Sequence, residues 1–127
     1  MAQSSTPESK VKAGIKRLLD KLGIWYYMPV AGPFAVHGIP DFICCWDGWF
    51  LAIEAKAPGK LGTLTYHQQK KIDEINAAKG FAVAVDSVEV LRELLTKLND
   101  ERLLRVVDRS ETDPHEDART AGEEQVY

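Results

Sequence analysis

The sequence predicts an α/β domain whose elements run α-β-β-β-α-β-α, a mixed sheet with helices packed on it. Three observations carry this expectation. Three segments repeat apolar residues at helical spacing. Four short runs are rich in aromatic and β-branched residues. Two of those runs flank Asp47-Gly48, a strong two-residue hairpin turn.

Thr6-Pro7-Glu8 reads as a helix start, with Thr6 as N-cap and Pro7 at the first helical position. Val11, Ile15, Leu18, Leu19 and Leu22 form the inner stripe, and Gly23 ends the run. Glu8 lies three residues before Val11 and seven before Ile15, so it continues that stripe, while Lys10, Lys12, Lys16, Arg17 and Lys21 cover the other faces. Residues 24–30 (IWYYMPV) read as a strand and 31–40 (AGPFAVHGIP) as a loop punctuated by Gly and Pro. The hairpin follows, with arms 41–46 and 49–56. After a second Gly-rich loop, Thr65 caps a helix expected to run through Lys79, with Gln68, Ile72 and Ile75 inside and Gly80 closing it. Residues 81–85 (FAVAV) form a short buried strand. Asp86 and Glu89 have capping-box spacing and open a last helix with Val88, Leu91, Leu94, Leu95 and Leu98 inside. Residues 103–107 (LLRVV) fit a helix turn or an edge strand.

A chain of 127 residues suits one domain with a single core. The expected boundary falls at residue 107. Residues 108–127 carry seven acids and two arginines with almost no large apolar side chains, and are expected to form a disordered acidic tail. The net charge of −3 arises there, leaving residues 1–107 at +2. That balance permits nucleic-acid binding without demonstrating it. No apolar run approaches the ~20 residues of a membrane span, and MAQSSTPESK does not resemble a signal peptide. A cytoplasmic, non-secreted protein with no membrane partner is expected. Cys44 and Cys45 are adjacent in a strand, point to opposite faces and make a poor disulfide pair.

The hairpin holds the strongest chemical signal. If Asp47-Gly48 is the turn, cross-strand partners sum to 95 and Asp41 faces Glu54, with Lys56 two residues on and on the same face. Opposed side chains have Cβ atoms roughly 4.5–5.5 Å apart, where like charges repel. Something positive must sit there, either Lys56 or a divalent metal. Two carboxylates with water completing the shell suit Mg²⁺. The rest of this face, Ile43, Cys45, Phe50 and Ala52, is apolar or nearly so, as for a site at the end of a packed scaffold.

These residues also carry a resemblance. "GIPDF", "IEAK" and "GTLTYHQ" resemble the VRR-Nuc (virus-type replication-repair nuclease) family of the PD-(D/E)XK superfamily over roughly residues 8–86. Pro40-Asp41 stands as the P-D, Glu54-Ala55-Lys56 as the E-x-K, and Gln68 as the downstream glutamine. The small chain looks like the stand-alone phage and prophage members. The resemblance implies a restriction-endonuclease-like core and Mg²⁺- or Mn²⁺-dependent hydrolysis of DNA phosphodiesters. It further implies a homodimer acting on branched DNA, such as four-way junctions or flaps, in replication, repair or recombination. Asp41, Glu54 and the Ala55 carbonyl would ligate the metal, with Glu8 as a further ligand direct or through water. Lys56 would position or deprotonate the attacking water and stabilise transition-state charge. Gln68 would touch the water, the metal shell or a phosphate, although Thr65-x-x-Gln68 is equally a capping box. His37, Lys60, Lys70, Lys71, Lys10 and Lys12 are candidate DNA contacts, although for each the solvated basic residue is the stronger reading. The loop before Pro40 departs from expectation, holding no basic residue except His37. A catalytically silent DNA-binding or interaction module with the same fold is the competing reading.

Overall fold

Thr6 and Pro7 start the first helix as their types require. In a computed structural model, which describes residues 5–112 and the side chains of those up to Leu103, α1 spans Pro7–Leu22. Thr6 accepts from the Ser9 amide in a reciprocal capping box, and Gly23 (φ 71°) closes the helix. The strands are β1 (Trp25–Tyr27), β2 (Phe42–Trp46), β3 (Trp49–Ala55) and β4 (Phe81–Val85). Helix α2 (Tyr66–Ala77) precedes β4, and α3 (Val88–Thr112) follows it. A 3-10 turn, Leu61–Thr63, lies in the second Gly-rich loop.

The sheet order is β1-β2-β3-β4. The first three strands are antiparallel and β4 joins β3 in parallel through the α2 crossover. The hairpin register is the expected one, from Trp46↔Trp49 to Phe42↔Ile53. Its turn has positive φ at both central residues, Asp47 at 51° and Gly48 at 83°, the two-residue geometry that matches strand twist. Alternation then sorts the side chains. Phe42, Cys44, Leu51, Ile53 and Ala55 are buried on one face, where α1 packs on β1 and β3 with Val11, Ile15, Leu18 and Leu19 inside. On the other face Ile72 of α2 packs with Ala52 and Ala82, joined by Ile43, Leu64, Ile75 and Ala84. Cys44 is buried and Cys45 exposed, as alternation requires; burial pushes the Cys44 thiol up to about 12.

The chain divides into a unit ending at Arg92 and one beginning at Glu93. The first holds the sheet, α1, α2 and the start of α3. The described part of the second is the rest of α3, where Arg102 donates to Asn99 Oδ1 at 2.8 Å. Helix α3 takes in residues 103–107 and continues to Thr112; residues 113–127 of the acidic tail lie outside the described residues.

Four local expectations are corrected. The first strand covers only Trp25–Tyr27 of the expected 24–30. Leu22 is 43% exposed, because α1 ends there. Helix α2 stops at Ala77, and Lys79 rather than Gly80 takes the left-handed conformation (φ 78°). Gly80 is instead a matter of space: a Cβ there would lie 3.0 Å from both Phe50 and Ile75. Finally Ser87, not Asp86, caps α3, its Oγ accepting from the Val90 amide at 3.3 Å. Asp86 accepts from the Gly59 amide at 2.8 Å and so tethers the second Gly-rich loop.

Candidate active site

The hairpin's open end lies where β2 stops. The ladder ends at Phe42↔Ile53, one pair short of Asp41 and Glu54. Asp41 replaces the next rung with its side chain, Oδ2 accepting from the Ala55 amide at 2.9 Å. Its carboxylate thus completes the strand and faces the charged cluster, with its other oxygen, Oδ1, 3.5 Å from Lys12 Nζ.

Glu54 sits inside β3 and is 4% exposed. Its Oε2 lies 3.8 Å from Lys56 Nζ, and Lys56 is itself 9% exposed. The Lys56 amide donates to the Val85 carbonyl at 2.9 Å, extending the parallel pairing beyond Ala55. Burial first, and the neighbouring Asp41 charge second, push the Glu54 carboxyl up to about 7 against the pull of Lys56. A carboxyl this far from its ordinary range, beside specific charge partners, marks a functional-site candidate.

Gln68 satisfies both of its expected readings with the two ends of one amide. Its Oε1 accepts from the Thr65 amide at 3.0 Å, completing the α2 capping box. Its Nε2 donates to Glu54 Oε2 at 3.1 Å. The first turn of α2 is thereby fixed to the carboxylate.

Glu8 stands at the start of α1, and its Oε2 lies 3.4 Å from Lys12 Nζ. Lys12 therefore bridges Glu8 and Asp41. Burial lowers its pKa, but Asp41 and Glu8 together outweigh that and leave it raised. Sequence reasoning grouped Lys12 with the solvated lysines. The available signal was its position four residues after Glu8, the favourable spacing for a helical ion pair.

The structure thus brings Asp41, Glu54, Lys56 and Gln68 into one linked cluster and attaches Glu8 to it through Lys12. Ala55 is fully buried between Glu54 and Lys56, its amide held by Asp41. The other candidates lie elsewhere. Lys10 is two residues from Lys12 and so on the opposite flank of α1, where it lines a groove with Arg17 and Lys21. Lys71 pairs with Glu74 at 3.0 Å. Lys60 is exposed in the second loop, and Lys70 holds its ammonium 6.0 Å from the Tyr66 ring. The His37 ring lies 5.5 Å from that of His67.

Among the described residues no three His, Cys, Asp or Glu side chains are grouped to hold a metal ion. The donor set at the hairpin's open end is two carboxylates, Asp41 and Glu54. That number of oxygens suits Mg²⁺, which is commonly held by one or two carboxylates with waters and substrate phosphates completing its shell.

Sheet order and crossover together define a mixed α/β core, with the cluster at the open end of its hairpin. A solved structure described as a VRR_NUC domain matches it with a TM-score of 0.62 at 18% identity, covering 72% of this chain and 97% of that one. The chain has the fold of that domain. No family model and no curated protein matches it.

Proposed function

We propose that this chain is a VRR-Nuc-type nuclease that hydrolyses DNA phosphodiester bonds with Mg²⁺ or Mn²⁺, acting on branched or otherwise structured DNA. The observation that supports this most is the linkage of Asp41, Glu54, Lys56 and Gln68 in one half-buried cluster, on a fold shared with a VRR_NUC domain. A buried carboxyl raised to about 7 beside a second carboxylate is a poor way to stabilise a hairpin. It is a sensible way to await positive charge.

Asp41 and Glu54 would hold the ion, with the Ala55 carbonyl as a backbone donor. Bound there, the metal would lower the pKa of a coordinated water and offset charge on the phosphate. Lys56 is placed by β3 against Glu54, where its ammonium would orient the attacking water and stabilise the negative charge that develops on the phosphoryl oxygens. Gln68 would hold Glu54 in its ligating orientation, and the α2 N-terminus behind it would favour a phosphate. Lys12, released from Asp41 by a bound cation, would be free to meet the DNA backbone. A homodimer acting in replication or repair remains part of this proposal.

The test is cleavage of labelled four-way junction, flap and linear duplex DNA in Mg²⁺ or Mn²⁺, wild type beside Asp41→Asn. Metal-dependent cutting that the variant loses supports the proposal, and the ranking of substrates names the preferred shape. Binding without cutting by wild type would put the silent module in its place.

A further inference from the structure

The loop from β1 to β2 leads directly into Asp41, yet His37 is its only basic residue. A loop that clasps phosphates draws largely on Lys, Arg and hydroxyl side chains, and this one has neither Lys, Arg, Ser nor Thr. The structure explains its composition differently. End of strand and loop together enclose a cleft of about 430 Å³, walled by Tyr27, Pro29, Val36 and Pro40, with His37 and Asp41 the sole charged or titratable groups besides Tyr27 in its lining. That volume is in the range of small-molecule sites. Val36 is 61% and Tyr27 51% exposed, so apolar and aromatic surface is held open to solvent beside a candidate metal ligand.

Beyond His37 the ring surface continues. The His67 ring is 5.5 Å away and tilted by 32°, and Tyr66 lies 5.4 Å from His67. Gly38 fixes this arrangement. It has φ 84°, and a Cβ there would fall on the His67 carbonyl, so the loop rests by backbone contact on the first turn of α2. One residue further, that turn sends Gln68 inward to Glu54. The cleft and the carboxylates are therefore held by the same short segment.

We infer that this cleft receives an unpaired nucleobase next to the scissile phosphate, stacked against Tyr27 and His37. The inference rests on the nuclease reading and deepens it. A base offers a flat, uncharged body with a π-face, which aromatic walls accept whatever the sequence. Removing a base from a duplex costs unstacking and unpairing energy, whereas a flap or junction supplies one already unpaired. The cleft would thus select structured DNA by a base rather than by the backbone.

The experiment uses the full chain in EDTA, with binding read by fluorescence anisotropy. Two flap DNAs are compared, identical except that the unpaired nucleotides at the branch either carry bases or are abasic. Wild type should bind the base-bearing flap about tenfold more tightly, the scale of one base–aromatic stack. Tyr27→Ala and the exposed-loop variant Val36→Asp should bring that ratio close to one while leaving affinity for plain duplex unchanged. Equal binding of both flaps by a wild-type protein that cuts DNA in Mn²⁺ would overturn the cleft and leave the nuclease standing. So would a Val36→Asp variant that weakens both flaps equally. Neither binding nor cutting by wild type would overturn both.

Discussion

Replacing Glu54 by Gln should stabilise the protein while abolishing its chemistry. Glu54 is 4% exposed, and burial, with Asp41 alongside, raises its pKa from 4.5 to about 7. Between those values the folded protein holds a proton that the unfolded chain releases. The folded state is therefore favoured at low pH by this group, loses stability as pH rises from 4.5 to about 7, and stays at its minimum above that. At 1.36 kcal/mol per pKa unit the difference comes to about 3 kcal/mol. Gln has the shape of the protonated acid and keeps an oxygen for Gln68 Nε2, so it avoids that loss. In EDTA at pH 8 the variant should melt about 10 °C above wild type, given roughly 4 °C per kcal/mol for a domain of this size. The gain should vanish near pH 4. Adding Mn²⁺ should raise the Tm of wild type and leave Glu54→Gln unmoved. A variant no more stable than wild type at pH 8 in EDTA would refute the claim that the fold holds this carboxylate under electrostatic load.

Three further variants separate the parts of the site. Lys12→Met removes the cation between Glu8 and Asp41; it should lower stability in EDTA by about 1 kcal/mol and tighten Mn²⁺ binding several-fold in calorimetry, because a competing cation is gone. Thr65→Ala should cost about 1 kcal/mol by loss of the α2 cap, and Gln68→Ala a similar amount, but only the second should also reduce cleavage tenfold or more, as it alone frees Glu54. Gly38→Ala should lower stability by about 1–3 kcal/mol, since its φ is 84° and the His67 carbonyl occupies the space; an unchanged melting temperature would show that the loop does not rest on α2.

What the sequence made legible was local. The hairpin register followed from a turn whose residues accept positive φ, the cap of α1 from Thr6 before Pro7, and that of α2 from Thr65 with Gln68 three residues on. Errors arose where two adjacent residues offered the same local chemistry. Asp86 and Ser87 are both good N-caps, and a long-range bond to the Gly59 amide decided between them. Lys79 and Gly80 both sit at the end of α2, and crowding from Phe50 on β3 explains the glycine without a left-handed backbone. The same limit applied to the site. Asp41, Glu54 and Lys56 were candidates through their spacing around one turn, and Gln68 through the family resemblance. Lys12 reaches Asp41 across sequence, from α1 to the start of β2, and no spacing rule connects those elements. His37 and His67 met only because a loop folded back on a helix.

Two of the cluster's side chains, Asp41 and Gln68, hold backbone as well as face charge, so a substitution there can fail for structural reasons alone. Asp41 Oδ2 takes the Ala55 amide, a buried strand-end donor that β2 no longer reaches. Asp41→Ala would orphan that donor, at about 1–3 kcal/mol, and at the same time deprive Lys12 of one of its two carboxylates. Loss of cleavage in that variant would follow from a distorted strand end as readily as from a missing ligand. Asp41→Asn keeps an oxygen for the Ala55 amide and removes only the charge. If the carboxylate is a ligand, the Asn variant should melt within about 1 kcal/mol of wild type in EDTA, the usual worth of a partly exposed ion pair, yet gain nothing from Mn²⁺ and cut no DNA. If Asp41 merely terminates β3, Asn should cut as well as wild type and Ala alone should fail.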